Sequence, residues 1–123
     1  MIEIPTQLDT ERVSDLLCIA FEGGSNYWYC DLEVEQYPEG KSKADFEYWH
    51  IQVPLEEGGV LKFRDQFGDF GVLRLDLDSI TKGLRTMQDK YPRHWADFLK
   101  ENEDADTGDV FLQCCVLGGL TYG

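Results

Sequence analysis

The sequence predicts an α+β fold: an N-terminal helix, a three-stranded antiparallel meander, then two to three C-terminal helices packed on one face. Three observations predict it. Apolar residues early in the chain recur at helical spacing. The middle of the chain breaks into short, partly alternating apolar runs separated by glycine-rich turns. After residue 78 the helical spacing returns.

The elements follow in order. Residues 9 to 22 read as a helix, because Val13, Leu16, Leu17, Ala20 and Phe21 share one face. Asp9 or Thr10 can cap its start. Gly23 and Gly24 are expected to end it, since a left-handed residue after the last turn costs least as glycine. NYWYCDLEV (26–34) reads as extended and aromatic, and EQYPEGKSKAD (35–45) as a polar loop around Pro38 and Gly40. The strands of the meander are expected at FEYWHIQV (46–53), VLKFRD (60–65) and VLRLDL (72–77), with EEGG and QFGDFG as the turns between them. Asp78 or Ser79 is expected to cap a helix over SITKGLRTMQDKY, which Pro92 interrupts. RHWADFLKEN continues as a second helix, and Asp106 or Thr107 caps a third over DVFLQCCVLGG. At 123 residues one domain is expected.

Charge narrows the function. The chain holds 24 Asp and Glu against 11 Lys and Arg, for a net charge of -13. That opposes direct binding to a nucleic-acid backbone, which needs an excess of cations, and to anionic membranes. It suits solubility, and it suits a basic partner surface on which carboxylates stand in for phosphates. The acids group at Glu33, Glu35 and Glu39, and again at Glu101, Glu103, Asp104, Asp106 and Asp109. If the two groups converge in space they form a nucleic-acid-mimicking surface. The start of the chain has no basic, apolar leader pattern, and no run reaches the roughly 20 apolar residues of a membrane span. A cytoplasmic protein with its cysteines as thiols is expected.

The motifs of catalysis and metal binding are weak. His50, His94, Cys18, Cys30, Cys114 and Cys115 lack the paired spacing of zinc knuckles. DADTGD (104–109) fails as a calcium loop, because its twelfth position is Cys115. No phosphate-binding loop is present. Cys30 and His50 are the plausible nucleophile and base outside the helices, a pairing that arises readily by chance. No metal, no cofactor and no enzymatic activity are therefore expected. Recognition is better signalled by the aromatics Tyr27, Trp28 and Tyr29, with Tyr48 and Trp49. Tyr and Trp join a large apolar area to a polar handle. Either they fill the core beside the sheet, or Glu22, Gly23, Gly24, Asn26, Tyr27 and Trp28 hold a flat ligand. In the second case glycine would let the ligand approach the backbone.

EGGSNYW (22–28), LDLDSITKGL (75–84) and the closing DVFLQ…VLGGLTYG (109–123) together resemble a family of small uncharacterised proteins of phages and other bacterial mobile elements. Its pattern is E-G-G-x-x-Y-W near the start, a strand-to-helix L-T-x-E-x-x-x-x-G, and a closing A-D-x-x-x-Q-x-x-x-F-G-E-x-x-Y-G. Here Gly108 stands in place of the Ala, Leu117 of the Phe and Gly119 of the Glu. The resemblance implies a phage accessory protein acting in the host bacterial cytoplasm against defence. Such a protein would be a non-enzymatic inhibitor of a host defence protein with a basic surface, such as a CRISPR effector or a nuclease. Glu33, Glu35, Glu101, Glu103, Asp104 and Asp106 would be its contact residues. The alternative is a sponge for a nucleotide-derived immune signal at the EGGSNYW loop. A homo-oligomer is compatible with either.

Overall fold

A computed structural model describes residues 10 to 123. Helix α1 (Thr10–Ile19) buries Val13, Leu16 and Leu17 and runs directly into a π-helical turn, Ala20–Gly24. The helix begins at Thr10; Asp9, the other expected cap, lies outside the described residues. The expected glycine stop is corrected, because neither Gly23 nor Gly24 is left-handed. The helix widens instead, and the Ser25 amide donates to the Ala20 carbonyl at 2.9 Å. Gly24 serves close approach: a Cβ there would stand 2.3 Å from the carbonyl oxygen of Ala105.

The sheet is an antiparallel meander of β1 (Tyr29–Gln36), β2 (Val60–Asp65) and β3 (Val72–Leu75), in that spatial order. Its first strand is therefore the aromatic segment, and the strand expected at 46–53 is corrected. Trp49–Gln52 makes a single helical turn, α2, followed by a 3-10 turn at Val53–Leu55. Pro54 explains the choice: it has no N–H for a sheet ladder but fits the first turn of a helix. Phe46, Trp49 and Val53 also recur at helical spacing, and all three turn to the core.

β1 pairs with β2 through two irregularities, between Cys30 and Glu33 and between Val34 and Gln36. Asp31 takes a φ of 58° inside the first. β2 and β3 pair without a slip. β3 ends at Leu75, and Leu77 already opens the next helix.

Helices α3 (Leu77–Lys90), α4 (Pro92–Leu99) and α5 (Ala105–Val116) complete the chain. The caps lie two residues upstream of those expected. Asp76 accepts from the Ser79 amide at 2.9 Å, and Asp104 accepts from the Thr107 amide at 3.0 Å. Pro92 sits in the first turn of α4, where its missing N–H costs nothing. α5 is buried from Thr107 to Cys115 and forms the axis of the helical layer. α3 lies so close to it that a Cβ on Gly83 would stand 2.3 Å from the Cys115 sulfur. Leu61, Phe63, Leu73 and Leu75 point from the sheet into this layer. Glu33, Lys62, Arg64 and Arg74 alternate onto the opposite, polar face. Among the described residues no helix is long and apolar enough to cross a membrane.

Candidate functional site

The EGGSNYW segment turns inward. Asp109, buried on α5, accepts from the Ser25 hydroxyl (2.8 Å), the Trp28 indole N–H (2.7 Å), the Tyr27 hydroxyl (2.5 Å) and Gln113 Nε2 (3.1 Å). Burying a carboxylate is costly unless hydrogen bonds replace its water, and these donors supply them. Trp28 is 0% exposed and stacks on Tyr122, with ring centroids 5.6 Å apart and planes 26° apart. Tyr29 sits edge-on to Phe21 and Phe63 and donates its hydroxyl to the Phe21 carbonyl at 2.6 Å. Both rings are core, so the stacking platform expected at Trp28 is not accessible to a ligand.

Tyr27 is divided. Its hydroxyl points to Asp109 while the residue stays 45% exposed. Burial of the hydroxyl, then its bond to Asp109, pushes its ionisation well above the ordinary range. Asn26 is exposed, and its carbonyl accepts from Gln66 Nε2 at 2.9 Å. Glu22 is exposed and bonded to His50 (3.0 Å) and Cys18 (3.2 Å). The bond from His50, then that from Cys18, holds its carboxyl below the usual range. Gly23 is exposed to open space, whereas Gly24 packs on Ala105.

The last residues close the same network. Gln113 Oε1 accepts the amides of Thr121 (2.8 Å) and Tyr122 (3.0 Å), and Nε2 donates to the Tyr122 carbonyl at 3.1 Å. The Tyr122 hydroxyl stands 3.1 Å from both Asp65 and Asp69. Asp65 also accepts the amides of Asp69 (2.9 Å) and Phe70 (3.1 Å), pinning the β2–β3 turn. Burial disfavours the Asp65 charge, but these donors outweigh it and hold the carboxyl below its usual pKa. Tyr27, Trp28, Asp109, Gln113 and Tyr122, which carry the resemblance at both ends of the sequence, thus form one hydrogen-bonded and stacked unit.

That unit leaves a surface which sequence reasoning missed. Phe67 and Phe70 in the β2–β3 turn are 59% and 46% exposed. Their rings flank Tyr122 with centroids 5.3 and 6.2 Å away. The signal was present in QFGDFG, a turn carrying two phenylalanines where polar residues are usual.

The predicted acidic residues fall into two places. Glu33 and Glu35 lie on the polar face of the sheet, in ion pairs with Lys62 (3.1 Å) and Arg74 (2.7 Å). The others build a corner on the helical side, where α1 meets the α4–α5 connection. There Arg12 donates to both Glu103 oxygens (2.6 and 3.1 Å), to Asp15 (3.3 Å) and to the Phe98 carbonyl (2.5 Å). It also covers the Phe98 ring at 4.8 Å. The bond from Arg12 holds the Glu103 carboxyl below its usual range. Asp104 is the α5 cap, while Glu101 and Asp106 are exposed and make no ion pair among the described residues. The two groups therefore lie apart: one is on the polar face of the sheet and the other on the helical side.

The expected nucleophile and base do not meet. His50 bonds Glu22, and Cys30 has Asp31 beside it at 3.8 Å. Burial raises all four thiols, Cys18 to about 11 and Cys114 to about 12, so none is poised as a thiolate. Among the described residues no group of three or more His, Cys, Asp and Glu is arranged to hold a metal ion. No family model, curated protein or solved structure matches the chain.

Proposed function

We propose that the chain is a non-enzymatic binding protein that occupies a basic, nucleic-acid-handling surface of a bacterial defence protein, a CRISPR effector or a nuclease, in the host cytoplasm. The observation that carries this reading is the acidic corner. Arg12 draws Asp15 of α1 to the α4–α5 connection, and Glu101, Asp104 and Asp106 remain outward there. In a chain of net charge -13 this corner supplies both steering and contact charge. The resemblance to phage proteins supplies the cellular setting. Glu103 is not a contact residue on this reading, because it is committed to Arg12. Glu33 and Glu35, neutralised across the sheet, contribute little.

The test expresses the protein in bacteria that restrict phage by a DNA-cleaving defence system and scores phage plating. The wild type should restore plating, and Glu101→Lys with Asp106→Lys should abolish the rescue in a protein that still folds, its melting temperature lowered by a few degrees through the reversed charge in the first turn of α5. Full rescue by the reversed double variant would overturn the reading. Asp104 is left unchanged because its loss would uncap α5.

A further inference from the structure

The exposed aromatics of the β2–β3 turn are not required by the acidic corner, yet a run of contacts leads from them toward it. Phe67 and Phe70 flank Tyr122. Tyr122 is joined through Gln113 to Tyr27, with Gln113 Nε2 lying 3.4 Å from the Tyr27 hydroxyl. Asp106 of the corner lies one helical turn before Asp109 on α5, and Asp109 accepts that hydroxyl. The patch thus has a carboxylate at each end, Asp69 beside Tyr122 and Asp106 toward Tyr27. An apolar aromatic surface with an anionic rim has a specific complement. A second copy of this chain would bring carboxylates against carboxylates. A lysine ammonium reaches the rim and can lie over a ring only as a compact, strongly hydrated point charge. A guanidinium satisfies both, because it stacks on an aromatic face while its N–H groups reach a carboxylate.

We infer that Phe67, Phe70, Tyr122 and the exposed face of Tyr27, flanked by Asp69 and Asp106, form an arginine-selective contact surface for the basic partner. This rests on the acidic-corner reading and deepens it. The corner attracts any cationic surface, and the aromatic patch selects arginine-rich ones. The selectivity resides in the half-exposed rings of Phe67 and Phe70.

The experiment titrates the full chain with two fluorescent probes of equal charge, nona-arginine and nona-lysine, at low and at physiological salt. The wild type should bind both in a salt-dependent manner and prefer nona-arginine, by at most about two- to fivefold for each guanidinium seated on a ring, the full worth of an exposed cation–π contact. Phe67→Ala with Phe70→Ala should remove that preference, lowering nona-arginine affinity more than nona-lysine affinity. Phe67→Leu with Phe70→Leu, which keeps apolar bulk without the π face, should behave the same and serves if the alanine pair fails to fold. Equal binding of the two peptides by the wild type, or a preference that survives both double variants, would overturn the inference and leave the acidic corner standing. Binding of neither peptide would overturn the corner and the inference with it.

Discussion

Two aromatic segments lie against Tyr122 and face opposite ways. SNYWY (25–29) turns inward, with Trp28 wholly buried, whereas QFGDFG (66–71) holds Phe67 and Phe70 outward. Composition points the other way, since Tyr and Trp favour binding surfaces and Phe favours cores. The difference lies in partners remote in sequence. The indole N–H and the hydroxyls could be buried because Asp109 and the Phe21 carbonyl accept them. In the turn it is the backbone that is satisfied, by Asp65, and left-handed Gly68 and Gly71 carry the chain around so that the rings lie on the surface. A polar handle therefore marks a buried ring wherever an acceptor awaits it, and Asp109 is that acceptor.

The sharpest way to break this comparison is to remove Asp109. Asp109→Ala leaves the Trp28 and Ser25 donors without an acceptor in a buried site and takes from Gln113 one of its acceptors. At about 1–3 kcal/mol for each unsatisfied group, the loss should be on the order of 3–5 kcal/mol, a large part of the stability of a small domain. Asp109→Asn should cost only about 1 kcal/mol, the difference between a charged and a neutral acceptor. Its Oδ1 can keep the three donors that now share Oδ1, and the Tyr27 hydroxyl can rotate to accept from the new amide. Urea unfolding of both variants measures this. Equal, small shifts would mean that Asp109 does not organise the inward segment.

A smaller effect separates the two glycines at the entry to that segment. Gly24→Ala would force its Cβ against the Ala105 carbonyl and should cost about 1–3 kcal/mol through backbone displacement. Gly23→Ala meets open space at a helix-like, non-left-handed position and should be neutral or stabilise by up to about 1 kcal/mol. Urea midpoints of the pair read both signs. A costly Gly23→Ala would mean that glycine is needed there for reasons other than close approach.

Much of the fold was legible because the helical faces and the strands at 60–65 and 72–75 carry strong periodicity. The failure at 46–53 was local and readable in retrospect. Phe46, Trp49 and Val53 obey the helical period, and Pro54 opposes a ladder, while the bulky aromatics between them imitate a strand. The site was less legible for a different reason. Glu103 and Asp106 are alike in sequence, and what parts them is Arg12, which captures Glu103 from ninety-one residues away. Asp109, too, looked like one more acid at a helix start until Trp28 arrived. Spacing along the chain carries no trace of such long-range pairings.

The smallest effect tests what holds the outward segment. Asp65 is the counterpart of Asp109, a buried carboxylate that accepts the Asp69 and Phe70 amides and faces the Tyr122 hydroxyl. Its folded pKa lies below the ordinary 3.8. A group lowered on folding adds stability that is fully present above its unfolded pKa and is lost as pH falls through the folded value. The turn should therefore hold its conformation from neutral pH down to about 4 and loosen only below it. The amide proton shift of Phe70, followed by NMR in acid, should titrate with a midpoint below 3.8. In Asp65→Asn that titration should vanish while the Trp28 indole proton, bound to Asp109, keeps its shift. A midpoint at or above 3.8 would mean that Asp65 gains nothing from those amides. The orientation of Phe67 and Phe70 would then have to come from Tyr122 and the left-handed glycines of the turn.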